Sequence, residues 1–199
     1  MKIFIAALAL AFAAMLPHPA HAGQVTPPPV PPNIQVPAGN EPFLVGHAVG
    51  TQNYVCLPSG AGVAFKLFTP QATLFKDNDK QISTHFFSPN PHENGTVRPT
   101  WQDSLDTSAV WGEVKPGNAS SDTNFVQPGA IPWLLVTVVG SQHGTIGRDL
   151  LAGTTFIQRV STTGGIAPST GCASPADIGT QVFVPYTADY FFFRDINRK

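Results

Sequence analysis

Near its C-terminus the chain reads "VFVPYTADYFFFRD" (residues 182–195), and no other stretch constrains the fold as tightly. In an extended strand, successive side chains point to opposite faces. One face takes Val182, Val184, Tyr186, Ala188, Tyr190 and Phe192. The other takes Phe183, Pro185, Thr187, Asp189, Phe191 and Phe193. Both are mostly apolar, which predicts a central strand covered on both sides. Asp189 then shares a side with phenylalanines, where an unpaired carboxylate is costly. It is expected to accept from backbone N–H groups, a tyrosine hydroxyl or an arginine such as Arg159; the alternatives are that it serves a ligand or a reaction, or is exposed at a strand bend.

From Phe43 onward the same β signal recurs. "FLVGHAVGTQNYVCL", "VAFKLFT", "QATLF", "QISTHFF", "AVWGEV", "IPWLLVTVVGS" and "TTFIQRVST" are rich in β-branched and aromatic residues. Glycine, proline or "KDNDK" (residues 76–80) punctuates them, and "LFKDNDKQISTHFF" reads as a hairpin. Charged residues make up 12% of the chain, against roughly 25% in average proteins. With 20 prolines and 18 glycines, this favours short strands and many turns over exposed helices. The fold class expected is all-β: a single-domain antiparallel β-sandwich or barrel of about eight strands with long loops. The best helix candidate is the short "IGRDLLAG" (residues 146–153). Residues 88–99 and 116–129 read as long polar loops, where function usually lives on a β scaffold.

The chain opens with Lys2, an apolar run at residues 3–16 and the small-x-small end Ala20-His21-Ala22. That is a signal-peptide pattern with cleavage after Ala22, which predicts a secreted or periplasmic protein. No later stretch is apolar for long enough to be a transmembrane helix. Residues 1–22 are thus a leader, residues 23–42 a Pro-rich, polyproline-like lead-in, partly disordered, and residues 43–199 one all-β domain. A formal net charge of −1 gives no electrostatic footprint for nucleic acid. Cys56 and Cys172 are expected to pair in an exported chain, with two separate buried thiols as the alternative. A link closing so long a loop is worth about 4–5 kcal/mol on chain-entropy grounds. Asn94 and Asn118 head N-glycosylation patterns that matter only in a eukaryotic secretory host.

Several blocks together carry a resemblance. They are "GTQNYVC" (50–56), "LFTPQATLF" (67–75), "ISTHFF" (82–87), "PTWQDSLDTSAVWG" (99–112), "IPWLLV" (131–136), "FIQRVSTTGGIAP" (156–168), Cys172 and "VPYTADYFFF" (184–193). In these the chain resembles domain-of-unknown-function family 3455 (DUF3455), secreted proteins of bacteria and fungi. The segment between His85 and Trp101 is longer here, by "NPHENG". Asp106-Thr107-Ser108 stands where the family tends to read Asp-Gly-Ser, so any turn shaped by that glycine is altered. The resemblance implies no established activity and transfers no catalytic residues.

Motifs for known chemistries are missing. No GxGxxG follows a strand, no HExxH or CxxC occurs, and no GxSxG elbow is present. The histidines at 47, 85, 92 and 143 lack metal-ligand spacing, so no metal and no cofactor are expected. Ser104 and Ser108 would be nucleophiles only with His85 folded beside them. Nothing fixes the separation of Asp103, Asp106, Glu113 and Asp189 for glycoside chemistry. The aromatic inventory suggests a binding module instead. Aromatic faces beside short polar groups hold sugars or other partly apolar molecules. The expected function is an exported, envelope-associated module for a small molecule or saccharide. Its candidate ligand-binding residues are His85, Trp101, Asp106, Asp189 and Tyr186, with Trp101 the tryptophan expected at the surface. The alternative is a metal-dependent or hydrolytic secreted enzyme built on His85, Asp106 and Asp189.

Overall fold

Nine strands run through residues 25–197, which the structure, a computed structural model, describes. The expected leader and its cleavage after Ala22 lie outside those residues. The strands are β1 (Asn40–Ser59), β2 (Gly62–Phe75), β3 (Gln81–Asn90), β4 (Thr96–Asp103), β5 (Ala109–Glu113), β6 (Ala119–Ser120), β7 (Trp133–Gln142), β8 (Thr154–Gly164) and β9 (Gln181–Asp195). Their order in the sheet is β5-β4-β3-β2-β1-β9-β8-β7-β6, and β5 also pairs with β7. Eight strands therefore close an antiparallel barrel, with β6 attached outside β7. Closure removes the exposed edges that an open sheet must protect.

Small and large residues interlock along the inner wall. β1 turns Gly46 and Ala48 inward, and β9 answers with Tyr186, Ala188, Tyr190 and Phe192. A side chain at Gly46 would meet Leu74 Cδ2 at 2.9 Å. One at Gly112 would collide with Val136 and press on Trp101 Cζ3 at 3.2 Å. Leu44, Leu74, Ile82, Val110, Leu151, Ile157 and Phe192 form a packed interior core.

β9 is central, between β1 and β8. Its two faces are covered together only from Tyr190 to Phe193, while Phe183, Pro185 and Thr187 look outward into solvent. The outer cover of Phe191 and Phe193 comes from an unexpected source. Ile34, with Val25, Val30 and Val36, packs there together with Val126, Trp133 and Phe156. Asn33 Nδ2 donates to the carbonyls of Gly117 and Ala119 at 2.7 and 2.9 Å, and Gln158 Nε2 donates to Ile34 O at 2.8 Å. Residues 25–39 of the Pro-rich segment form a strap laid across the barrel, and β1 begins at Asn40.

Other expectations change for local reasons. "VAFKLFT" and "QATLF" are one strand that runs through Pro70. Proline has no N–H to give, and here the Thr69 Oγ1 accepts from the Phe87 N–H at 3.0 Å. Before Pro70, β2 pairs with β1 but not with β3, and beyond Val55 β1 no longer pairs with β9, so residues 56–65 form a two-stranded arm. Residues 88–99 are not a long loop. β3 continues to Asn90, a 3-10 turn at Pro91–Glu93 reverses the chain, and β4 starts at Thr96. Residues 146–153 form turns instead of a helix, because Asp106 and Ser108 accept the N–H groups of Leu150 and Leu151. Among the described residues there is no α-helix.

Cys56 and Cys172 are joined, with Cα atoms 5.5 Å apart. The link ties the arm to the connection between β8 and β9, beside backbone bonds from Cys56 N to Thr180 O and from Gly179 N to Cys56 O.

Candidate functional site

The barrel is not filled throughout. A cavity of about 260 Å³ lies among Gln52, Tyr54, Pro70, His85, Trp101 and Tyr190, with Leu67, Phe87, Pro99, Val114, Ile131, Pro132, Leu134, Val136 and Arg159 completing its wall. Alternation brings these residues inside. His85 faces Trp101 across β3 and β4, and Arg159 faces Tyr190 across β8 and β9.

The His85 and Trp101 rings stack with centroids 4.1 Å apart and planes 9° off parallel. Tyr190 meets both at an angle, 5.3 Å from His85 and 5.6 Å from Trp101. The His85 Nδ1–H donates to Thr100 O at 2.9 Å. Burial disfavours the charged ring, and the Arg159 charge adds to that against the Thr100 bond; the pKa falls to about 3. His85 is therefore neutral near pH 7, with its lone pair on Nε2.

The Tyr186 hydroxyl lies 3.2 Å from that of Tyr190. Burial holds its pKa well above the ordinary tyrosine value, and the neighbouring Tyr190 raises it further. Tyr54 donates to Gly165 O at 2.6 Å. Arg159 donates from Nε and Nη2 to Pro132 O, at 3.2 and 2.8 Å. Two buried donors, Gln52 Nε2 and Trp101 Nε1, make no hydrogen bond of good geometry.

Of the residues singled out in the sequence, His85, Trp101 and Tyr186 come together inside the barrel. Trp101 is only 1% exposed, which corrects its expected surface position. Its polar neighbours in "RPTWQDS" misled, because in a strand adjacent residues face the other way. Asp189 is not among the interior groups. It sits on the outer face, 29% exposed, and accepts from His47 Nδ1 at 2.7 Å. His47 Nε2 reaches Asp77 Oδ1 at 2.9 Å.

Asp106 is buried in the turn after β4, accepting the N–H groups of Ser108 and Leu150 at 2.6 and 2.8 Å. Burial works against its ionisation, but those bonds and the Arg148 charge hold its carboxyl below the usual range. His85, Asp106 and Asp189 thus occupy separate places, each with its own partners. His92 bonds Ser141 O, and His143 bonds Asp149. Among the described residues, no three His, Cys, Asp or Glu side chains group to hold a metal ion.

Sequence reasoning missed Gln52, Tyr54 and Arg159 as cavity residues. One signal was available. In "TTFIQRVST" Arg159 alternates with Ile157, so an arginine shares the inward face with a core residue. A wider groove of about 840 Å³ crosses the outer face near Val49, Thr51, Gln71, Thr73 and Phe183. It is open to solvent and none of its side chains is charged at neutral pH, so the interior cavity is the better candidate.

Fold and cavity together define a closed antiparallel β-barrel with an aromatic interior chamber. Residues 37–194 match the family described as "Protein of unknown function (DUF3455)", and the chain belongs to that family. Comparison with curated proteins and with solved structures gave no match.

Proposed function

We propose that the chain is an exported, envelope-associated binding module that takes a small molecule or a saccharide unit into the barrel. The observation that carries this reading is the interior cavity. A wall of aliphatic and aromatic residues with a few convergent polar groups is the usual make-up of a small-molecule site. An engineered apolar cavity of roughly 150 Å³ holds benzene. A chamber of about 260 Å³ suits one substituted ring and is too small for an oligosaccharide.

Export is supported by the leader pattern ending at Ala22 and by the Cys56–Cys172 link, since disulfides persist in oxidising compartments. No helix of the described residues is long and apolar enough to cross a membrane. The hydrolytic alternative draws no support from the arrangement of His85, Asp106 and Asp189.

The test is ligand screening of the chain starting at Gly23 by native mass spectrometry and tryptophan fluorescence. A bound molecule should perturb Trp101, so the response should survive Trp111→Phe and Trp133→Phe. Leu134→Trp, which fills the cavity, should abolish it. Ligands that bind equally well to the filled variant would place recognition elsewhere and sink the reading.

A further inference from the structure

Charge inside the cavity is one-sided. Among the residues of its wall there is no aspartate, glutamate or lysine, and His85 is neutral. Arg159 alone brings a full charge. It forms no ion pair with any described residue; two of its N–H groups go to the Pro132 carbonyl, and Nη1 has no partner. Its field reaches Tyr54, His85 and Tyr186. Arg159 is half-buried, so solvent reaches part of the guanidinium, and a counter-charge is what the cavity wall does not supply.

Gln52 supplies an independent sign. It is 2% exposed and lines the same cavity; its Nε2 makes no hydrogen bond of good geometry, and its one polar neighbour is the Tyr186 hydroxyl, whose raised pKa it opposes. Orphaned buried donors are rare in folded proteins and call for an explanation. Surplus donors beside an unpaired cation ask for an acceptor with negative charge. Arginine's planar fork matches a carboxylate in particular. A single cation of this kind suits a monoanion better than a doubly charged phosphate. Around it stand the rings of Tyr54, His85, Phe87, Trp101 and Tyr190, which favour a flat apolar body meeting them edge to face or offset.

We propose that the cavity selects a small single-ring organic acid, its carboxylate held by Arg159 with help from Gln52 and its ring among His85, Trp101 and Tyr190. This rests on the binding reading above and narrows it to a ligand class.

The test uses the chain from Gly23 and four probes at neutral pH: benzoate, 4-hydroxybenzoate, benzamide and methyl glucoside. Affinities are read by calorimetry and tryptophan fluorescence. The carboxylates should bind at least about tenfold more tightly than benzamide, the magnitude expected for a hydrogen-bonded charge. Arg159→Gln should remove that preference, and Arg159→Lys should fall between. The comparison of benzoate with benzamide on the unaltered chain decides the matter even if Arg159→Gln fails to fold. Equal binding of benzamide, or binding of methyl glucoside alone, overturns selection for an anion but leaves the cavity as a binding site. Binding of none of the four overturns the organic-acid assignment, while the broader screen with Leu134→Trp separately decides whether the cavity binds anything.

Discussion

Thr107 carries a backbone angle that its side chain resists. Its φ is +66°, the left-handed region, where a residue with a Cβ pays about 1–2 kcal/mol relative to right-handed backbone. The resemblance set out from the sequence implies glycine at this position, and the conformation is one that glycine adopts freely. Thr107→Gly should stabilise the fold by roughly 0.5–1 kcal/mol, since glycine relieves the strain but brings extra freedom to the unfolded chain; denaturant titration reads the change. Two histidines pull the pH dependence in opposite directions. His85 stays unprotonated in the fold down to about pH 3, whereas in the unfolded chain it takes up a proton below about pH 6.5. Stability is therefore lost as pH falls below that value, by at most about 1.4 kcal/mol per pH unit. For His47 burial works against the charged ring, but Asp189 and Asp77 outweigh it and raise the pKa. Its contribution is fully present below about pH 6.5, the ordinary value for a histidine, and is lost as pH rises through the raised folded value. Thermal unfolding between pH 4.5 and 8, a window of roughly three units around that value, should show His85→Phe flattening the acid limb. His47→Gln should remove the loss on the alkaline side.

At the scale of elements, the strap and the strands differ in how plainly the sequence announces them. β9 and β8 were legible because alternation and bulk agree in "TQVFVPYTADYFFFRD" and "TTFIQRVST". The β3–β4 hairpin was not, because Pro89, Pro91 and Asn94 look like loop chemistry until Asn94 is seen in left-handed backbone closing a tight turn. The strap was hidden for a similar reason. Polyproline geometry has no internal hydrogen bonds, so composition suggests solvation, and only the tertiary fold reveals that Ile34 is fully buried. Ile34→Ala should cost about 2–4 kcal/mol, as for other buried isoleucines cut to alanine. It should also make residues 25–39 susceptible to proteolysis; chevron or equilibrium denaturation and limited digestion check the two effects. A strap merely resting on the surface would show a change below about 0.5 kcal/mol.

For the molecule as a whole, closure was legible only as a choice between sandwich and barrel. The deciding contact is the pairing of β5 with β7, which joins Ala109–Glu113 to a strand twenty residues further on, and no local pattern encodes it. The cavity was still less legible. Its wall draws Gln52 and Tyr54 from β1 and Leu67, His85, Trp101, Leu134 and Arg159 from β2, β3, β4, β7 and β8, and each looks ordinary where it stands. Composition pointed to aromatic residues, and His85, Trp101 and Tyr186 do lie inside the barrel, but it could not say that Asp189 would face outward while Arg159 faced in. The disulfide joins these scales. Tyr54 and Leu67, which help wall the chamber, pair at the base of the arm that carries Cys56, and Cys172 anchors that arm to the β8–β9 connection whose Gly165 carbonyl receives Tyr54. One rim of the chamber is thus riveted rather than merely packed. A thiol-rich surrounding would slacken that rim while sparing the densely filled interior, so the shape of the chamber would follow the oxidation state of wherever the chain finds itself.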